Sequence, residues 1–193
     1  MKRLAMLAAV VIFATGCAAP AATTPATTAA PEPATQSAPE VTPTPVVLGP
    51  GEYTWENATG AKGTMSIPGK PDPEIERLRT LAGGKPTTYI TVKVDNRQGS
   101  VGVNMYGISI FTPEGEELEY RNADEYISSL RPDDAPAEVY NQFIEAGNKH
   151  MAMANPKAVK TFVMTGPALP ETFTGVTVYP TGTSDPVDAL PAP

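Results

Sequence analysis

The sequence predicts a mainly β domain of the β-sandwich type, with short helices and a helical insertion around residues 122–147. Three observations point there. Of the 13 aromatic residues, 12 lie between Tyr53 and Tyr179, so only residues 51–180 have the apolar bulk for a core, and that length suits one domain. Within the span most apolar residues recur with a period of two, as on strands with one buried face. Helical spacing is confined to three short segments, which suits a sandwich better than an alternating α/β sheet.

Taken in chain order, residues 52–57 and 63–67 are the first strand candidates. A helix follows, with Asp72 as N-cap before Pro73, Glu74 and Glu76 in the first turn, Ile75, Leu78 and Leu81 on one stripe, and Gly83 after the end. Residues 89–95 alternate, with Ile90, Val92 and Val94 on one face and Tyr89, Thr91, Lys93 and Asp95 on the other. Val101, Val103 and Met105 continue that period, but Ile108 and Ile110 fall on the opposite parity, which predicts a β-bulge at Tyr106-Gly107. Thr112-Pro-Glu-Gly115 supplies a turn, and residues 117–121 return as the partner strand.

The helical insertion comes next. Asn122 and Glu125 have capping-box spacing, Tyr126, Ile127 and Leu130 form a stripe, and Pro132 stops the segment. Pro136 opens a third helix, whose apolar face is Val139, Tyr140, Phe143 and Ile144 and whose end is expected at Gly147. Residues 158–165 and 173–179 complete six or seven strands.

Outside the domain the composition changes. Lys2 and Arg3 precede an uncharged, largely apolar stretch of 12 residues, too short to span a membrane and of the length of a signal-peptide core. Ala14, Thr15 and Gly16 directly before Cys17 resemble the bacterial lipobox, in which cleavage after Gly16 leaves the cysteine lipidated at the new amino terminus. Residues 1–16 are therefore expected to be a lipoprotein signal peptide and Cys17 the lipid attachment site, with the alternative of a plain secretory signal. Each buried acyl CH₂ contributes ~0.8 kcal/mol, so two or three chains hold a protein on a bilayer where one would let it exchange. The implied location is the bacterial cell membrane, with the domain on the extracytoplasmic side.

Residues 17–50 read as the lipidated cysteine followed by a disordered tether. Residues 18–50 contain 9 Ala, 8 Pro and 7 Thr, with no aromatic residue and only Glu32 and Glu40 charged, a composition too poor in apolar bulk to offset chain entropy. At ~3.1 Å per residue in polyproline II, its limiting reach is about 100 Å. Residues 181–193 are expected to be a second disordered segment.

Charge and residue counts exclude several functions. With 14 Lys and Arg against 21 Asp and Glu, and no basic cluster, nucleic acid is not an expected partner. One cysteine cannot form an intramolecular disulfide or a multi-cysteine metal site. His150 is the only histidine, and Gly107-Ile-Ser109-Ile-Phe111 lacks the second glycine of a nucleophile elbow, so a serine hydrolase is disfavoured. The acidic pairs Glu116-Glu117 and Asp133-Asp134 read as solvated turn residues, although distant carboxylates can still meet across a cleft. Tyr53 and Trp55 read as packing aromatics rather than a sugar platform, and Asn57-Ala-Thr59 as a coincidental glycosylation triplet.

The segment Lys149-His150-Met151-Ala152-Met153 is the sharpest local feature. Imidazole and thioether suit Cu(I), and in an extended segment Met151 and Met153 share one face while His150 lies on the other. The spacing resembles part of the ligand set of bacterial periplasmic copper chaperones, from which it departs in having no second histidine. Copper is thus the one alternative to a protein with no cofactor.

A wider resemblance rests on three stretches: Ile90-Thr-Val92-Lys-Val94-Asp-Asn96 followed by a polar turn, a strand ending in Thr-Pro-Glu-Gly-Glu, and Asn155-Pro-Lys-Ala-Val159-Lys-Thr-Phe162-Val163. Together they resemble the telokin-like, immunoglobulin-fold domains of bacterial extracellular lipoproteins over roughly residues 87–180. The helical stretch from Asn122 to Gly147 is longer than that family's usual connection, and Met164 stands where a proline often follows the late Phe. The resemblance implies an envelope-exposed interaction module with no catalytic residue to carry over. The expected function is a membrane-anchored envelope lipoprotein that binds an envelope protein or polymer without being an enzyme. A copper-handling lipoprotein and an envelope hydrolase are the alternatives.

Overall fold

The computed structural model describes residues 46–182 and 185–193. The expected signal peptide, Gly16, Cys17 and most of the expected tether lie outside the described residues.

The described residues are mainly β, with nine strands and three helices. In order they are β1 (Gly51–Glu56), β2 (Lys62–Ile67), α1 (Pro73–Ala82), β3 (Thr88–Asp95), β4 (Met105–Phe111), β5 (Glu117–Asn122), α2 (Ala123–Leu130), α3 (Ala137–Met151), β6 (Val159–Gly166), β7 (Gly175–Pro180), β8 (Val187–Asp188) and β9 (Leu190–Pro191). All pair antiparallel in one sheet of order β8-β7-β4-β5-β6-β3-β2-β1-β9. Its two ends, β8 and β9, are consecutive in sequence, with only Ala189 between them. The last few residues therefore pair with β7 on one side and β1 on the other, which brings the sheet close to a closed barrel.

This corrects two expected boundaries. The tail does not lie free over residues 187–191: Ala189 is buried, its N–H donates to Val176 O, and the Ala192 N–H donates to Glu52 O. Leu48 pairs with Phe173 through both backbone bonds, so ordered structure begins ahead of Gly51 rather than at it. Pairing supplied at both ends leaves neither β1 nor β7 with a bare edge along its full length.

The alternation in β3 places Ile90, Val92 and Val94 inside the barrel with Met65, Ile67, Ile108, Ile110, Phe162, Met164 and Phe173. The expected bulge is present: pairing of β4 with β7 shifts between Met105 and Gly107, which lets Met105, Ile108 and Ile110 all face inward. Val101 falls outside this pattern and is exposed, and Val103 makes only an isolated bridge to Ala154.

The three helices cover the outer face of β3 and β6. There Tyr89 and Val163, outward by parity, pack with Ile75 and Leu78 of α1, Ala123 and Ile127 of α2, and Phe143 and Ala146 of α3. Asp72 caps α1 as expected, accepting from Glu74 N at 2.9 Å and Ile75 N at 3.2 Å, and Gly83 closes it with φ 65° in the left-handed region. Leu81, placed on the apolar stripe by spacing, is exposed. In α3 the inward face is Phe143, Ala146 and His150, while Tyr140 and Ile144 sit at its margin, Tyr140 beneath the Arg131 guanidinium at 4.7 Å. The helix also passes through Gly147 to Met151, because the next inward position after Ala146 is His150 and its burial continues the packing.

Candidate functional site

Two groups of polar side chains stand apart from the solvated surface, both outside the barrel. The first lies where α1 begins and α3 ends. Asp72 uses Oδ1 to cap α1, and Glu74 follows in the first turn. The extra turn of α3 brings Lys149 and His150 against them, with Lys149 Nζ 2.6 Å from Glu74 Oε2. Asp72, Glu74 and His150 each present one ligand atom within 4.8 Å of the others.

His150 is only 8% exposed, and its Nε2 is buried without a hydrogen-bond partner. Burial pushes the imidazole below its ordinary pKa, which Asp72 and Glu74 oppose and Lys149 and Lys160 reinforce. From the adjacent start of α2, Asp124 also feels the ring: burial raises its pKa, while backbone N–H groups and His150 act the other way. On balance these surroundings favour the neutral imidazole over the imidazolium.

This arrangement differs from the expected copper set. Residues through Met151 are helical, so the strand alternation that would set both methionines on one face does not apply. Met151 lines a depression between α2 and α3 with Asp124, Phe143 and Gly147, and the Met153 thioether lies over Gly102. His150 is grouped instead with two carboxylates. Asp72 and Glu74 are visible in the sequence as cap and first-turn residues, but no local signal joins them to a histidine in another helix.

The second group lines a depression of about 180 Å³ on the outer face of β4, β5 and β7. The bulge turns Tyr106 outward, where it is 61% exposed, and the Arg121 guanidinium covers its ring at 5.2 Å. Arg121 is held by Glu119 Oε2 at 2.6 Å, which raises its pKa. Below them the buried Ser109 hydroxyl donates to Glu117 Oε1 at 2.5 Å and lies 3.5 Å from Tyr179 Oη. Ser109 thus has a carboxylate and not an imidazole as partner, since the single histidine belongs to the helix junction. Glu117 and Glu119 share this face and are exposed, each with a hydrogen-bond partner; Glu116, beside the β4–β5 turn, and Asp133 and Asp134, in the turn between α2 and α3, are exposed too.

Other sequence candidates take structural roles. Tyr53 and Trp55 are buried in the barrel. Asn57 is buried too, its Oδ1 accepting from Thr59 N, Thr59 Oγ1 and Ala61 N, so it organises the turn between β1 and β2. Gly16 and Cys17 lie outside the described residues. In comparison with known proteins, the chain matches no family model, and neither a curated protein nor a solved structure matches it significantly.

Proposed function

We propose that the chain is a bacterial envelope lipoprotein, anchored in the membrane through acylated Cys17, whose domain is a non-enzymatic binding module for an envelope protein or polymer. The observation that carries the binding reading is Tyr106, exposed at the mouth of the β4-β5-β7 depression and stacked with Arg121. An exposed aromatic face with a guanidinium over it, ringed by Glu117, Glu119 and the Tyr179 hydroxyl, offers apolar contact, cation–π attraction and hydrogen bonds together. Such surfaces supply affinity without a reacting group. The basic n-region, short apolar core and Cys17 support the anchor.

The immunoglobulin-like sandwich belongs to the same reading. It is supported by the thin seam between β5 and β6, which pair through only Arg121 with Thr165 and Asn122 with Met164. In this reading the seam is where the strands would divide into the two layers of a sandwich, β8-β7-β4-β5 and β6-β3-β2-β1-β9.

The test is capture from membranes with the full chain in mild detergent, comparing wild type with the Tyr106→Ala/Arg121→Ala double variant. A partner retained by wild type and lost by the variant, with unchanged thermal stability, is expected. The same proteins or polymer on both, or none on wild type, would remove the reading. Labelling cells with an alkyne fatty acid should tag wild type and leave Cys17→Ala untagged.

A further inference from the structure

We propose that Asp72, Glu74 and His150 form a binding site for a divalent first-row metal ion of the Zn²⁺ class, clamping the start of α1 to the end of α3. The three donor atoms already lie within 4.8 Å of one another. Ligand bonds of about 2.0–2.2 Å place tetrahedral donors roughly 3.3–3.6 Å apart, so donor shifts of about 1.5 Å or less would close the set.

A second observation is independent of this clustering. The His150 ring is more than nine-tenths buried against the junction, and its Nε2 meets no hydrogen-bond partner. A ring buried for packing alone would be expected to satisfy its polar atoms, whereas a ligating ring needs a free nitrogen lone pair.

The donor set selects the class of ion. One imidazole nitrogen with two carboxylate oxygens suits Zn²⁺, Co²⁺ or Ni²⁺ better than Cu(I), which prefers thioether and thiolate, or Ca²⁺, which takes six or more oxygens. Three protein ligands leave a position for water, and Asp72 and Glu74 are only half-buried, so solvent has access. The start of α1 carries partial positive charge that opposes a cation, but the end of α3 at the same junction carries the opposite sign. Asp72 keeps one carboxylate oxygen beyond the Oδ1 that caps the helix.

Lys149 is the natural competitor. Its ammonium sits 2.6 Å from Glu74 Oε2, where a metal ion would take its place as the countercharge. Removing it should strengthen binding, an effect opposite in sign to loss of a ligand.

The experiment uses the full chain in detergent without a polyhistidine tag, titrated with Zn²⁺ against a competing chelator and followed by the imidazole NMR signals. The chain has one histidine, so those signals report on His150 alone. One equivalent should bind and shift them, and Tm should rise. Asp72→Asn, which retains a capping side chain, and His150→Gln should each weaken binding at least about tenfold, while Lys149→Gln should tighten it. Circular dichroism of the apo-proteins separates loss of a ligand from loss of the fold. No saturable binding below about 100 μM Zn²⁺ would overturn the proposal, as would equal binding by the folded Asp72→Asn variant or equal shifts with Ca²⁺.

Discussion

Tyr89 Oη donates a hydrogen bond of 2.6 Å to Glu76 Oε1, tying the outer face of β3 to α1. The other oxygen of the same carboxylate accepts from Arg79 at 2.7 and 3.0 Å, so one Glu serves both the helix and the sheet beneath it. Tyr89 lies on the face of β3 that alternation marks as solvent-facing, and the helices convert that face into a second core. Tyr89→Phe keeps the ring but removes the donor, and should cost about 1.5 kcal/mol, the low end for a bond to a charged group. Urea unfolding measures it; an unchanged midpoint would show that the bond contributes nothing net.

The same pair gives a pH dependence with two limbs. Arg79 first, and then Tyr89, lower the Glu76 pKa from 4.5, so its contribution is full above the unfolded value and fades as acid protonates the folded carboxylate. Burial, and then the bond to Glu76, raise the Tyr89 pKa above 10, so its contribution is intact below pH 10 and fades as the unfolded phenol ionises above it. Tyr120, pushed by burial to about 12, adds to that alkaline limb. Stability should therefore plateau between the limbs. Tyr89→Phe should make the alkaline decline shallower, and an identical slope in both proteins would refute the assignment.

What could be read from the sequence depended on how locally each feature is encoded. The switch of parity between Met105 and Ile108 announced the bulge, because residues on one strand must keep their apolar side inward. Asp72-Pro73 and Gly83 likewise carry their own cap geometry. The end of α3 was not legible: Gly147 has the residue type of a terminator, yet its place inside the helix is set by Ala146 and His150 packing on the far side. Closure of the sheet was also hidden, since Val187-Asp-Ala-Leu-Pro is too short and too rich in proline to announce strands. The metal-type cluster unites residues about 75 positions apart, a distance at which only the packing of α1 on α3 makes them neighbours.

Asn96 is a buried polar residue whose chemistry, rather than its size, the structure requires. Its Nδ2 donates to Val101 O and Ala154 O, both at 2.8 Å, pinning the loop before β4 to the segment before β6. Asp at this position has nearly the same shape but turns carboxylate oxygens toward those two carbonyls. Asn96→Asp should cost more than about 3 kcal/mol near neutral pH, and Asn96→Ala about 2 kcal/mol. Gly99→Ala should also destabilise, because an added Cβ would lie 1.7 Å from Asn96 Oδ1. Equal losses for the Asp and Ala variants in chemical denaturation would show that the two donated bonds carry no special weight.

Barrel closure by residues 187–191 can be tested without truncation. Ala189 is 4% exposed between β8 and β9, so a longer charged side chain there must either be buried unpaired or push the segment off both neighbouring strands. Either outcome is costly: an unpaired buried charge costs about 3–5 kcal/mol, and displacing the segment bares β1 and β7 to other chains. Ala189→Glu should therefore unfold at markedly lower urea than wild type and elute from gel filtration partly as larger species. Leu190→Glu is the control, since Leu190 is 66% exposed and should tolerate the change within about 0.5 kcal/mol. If Ala189→Glu were as stable and as monodisperse as Leu190→Glu, the tail would be an appendage and the sheet would hold without it.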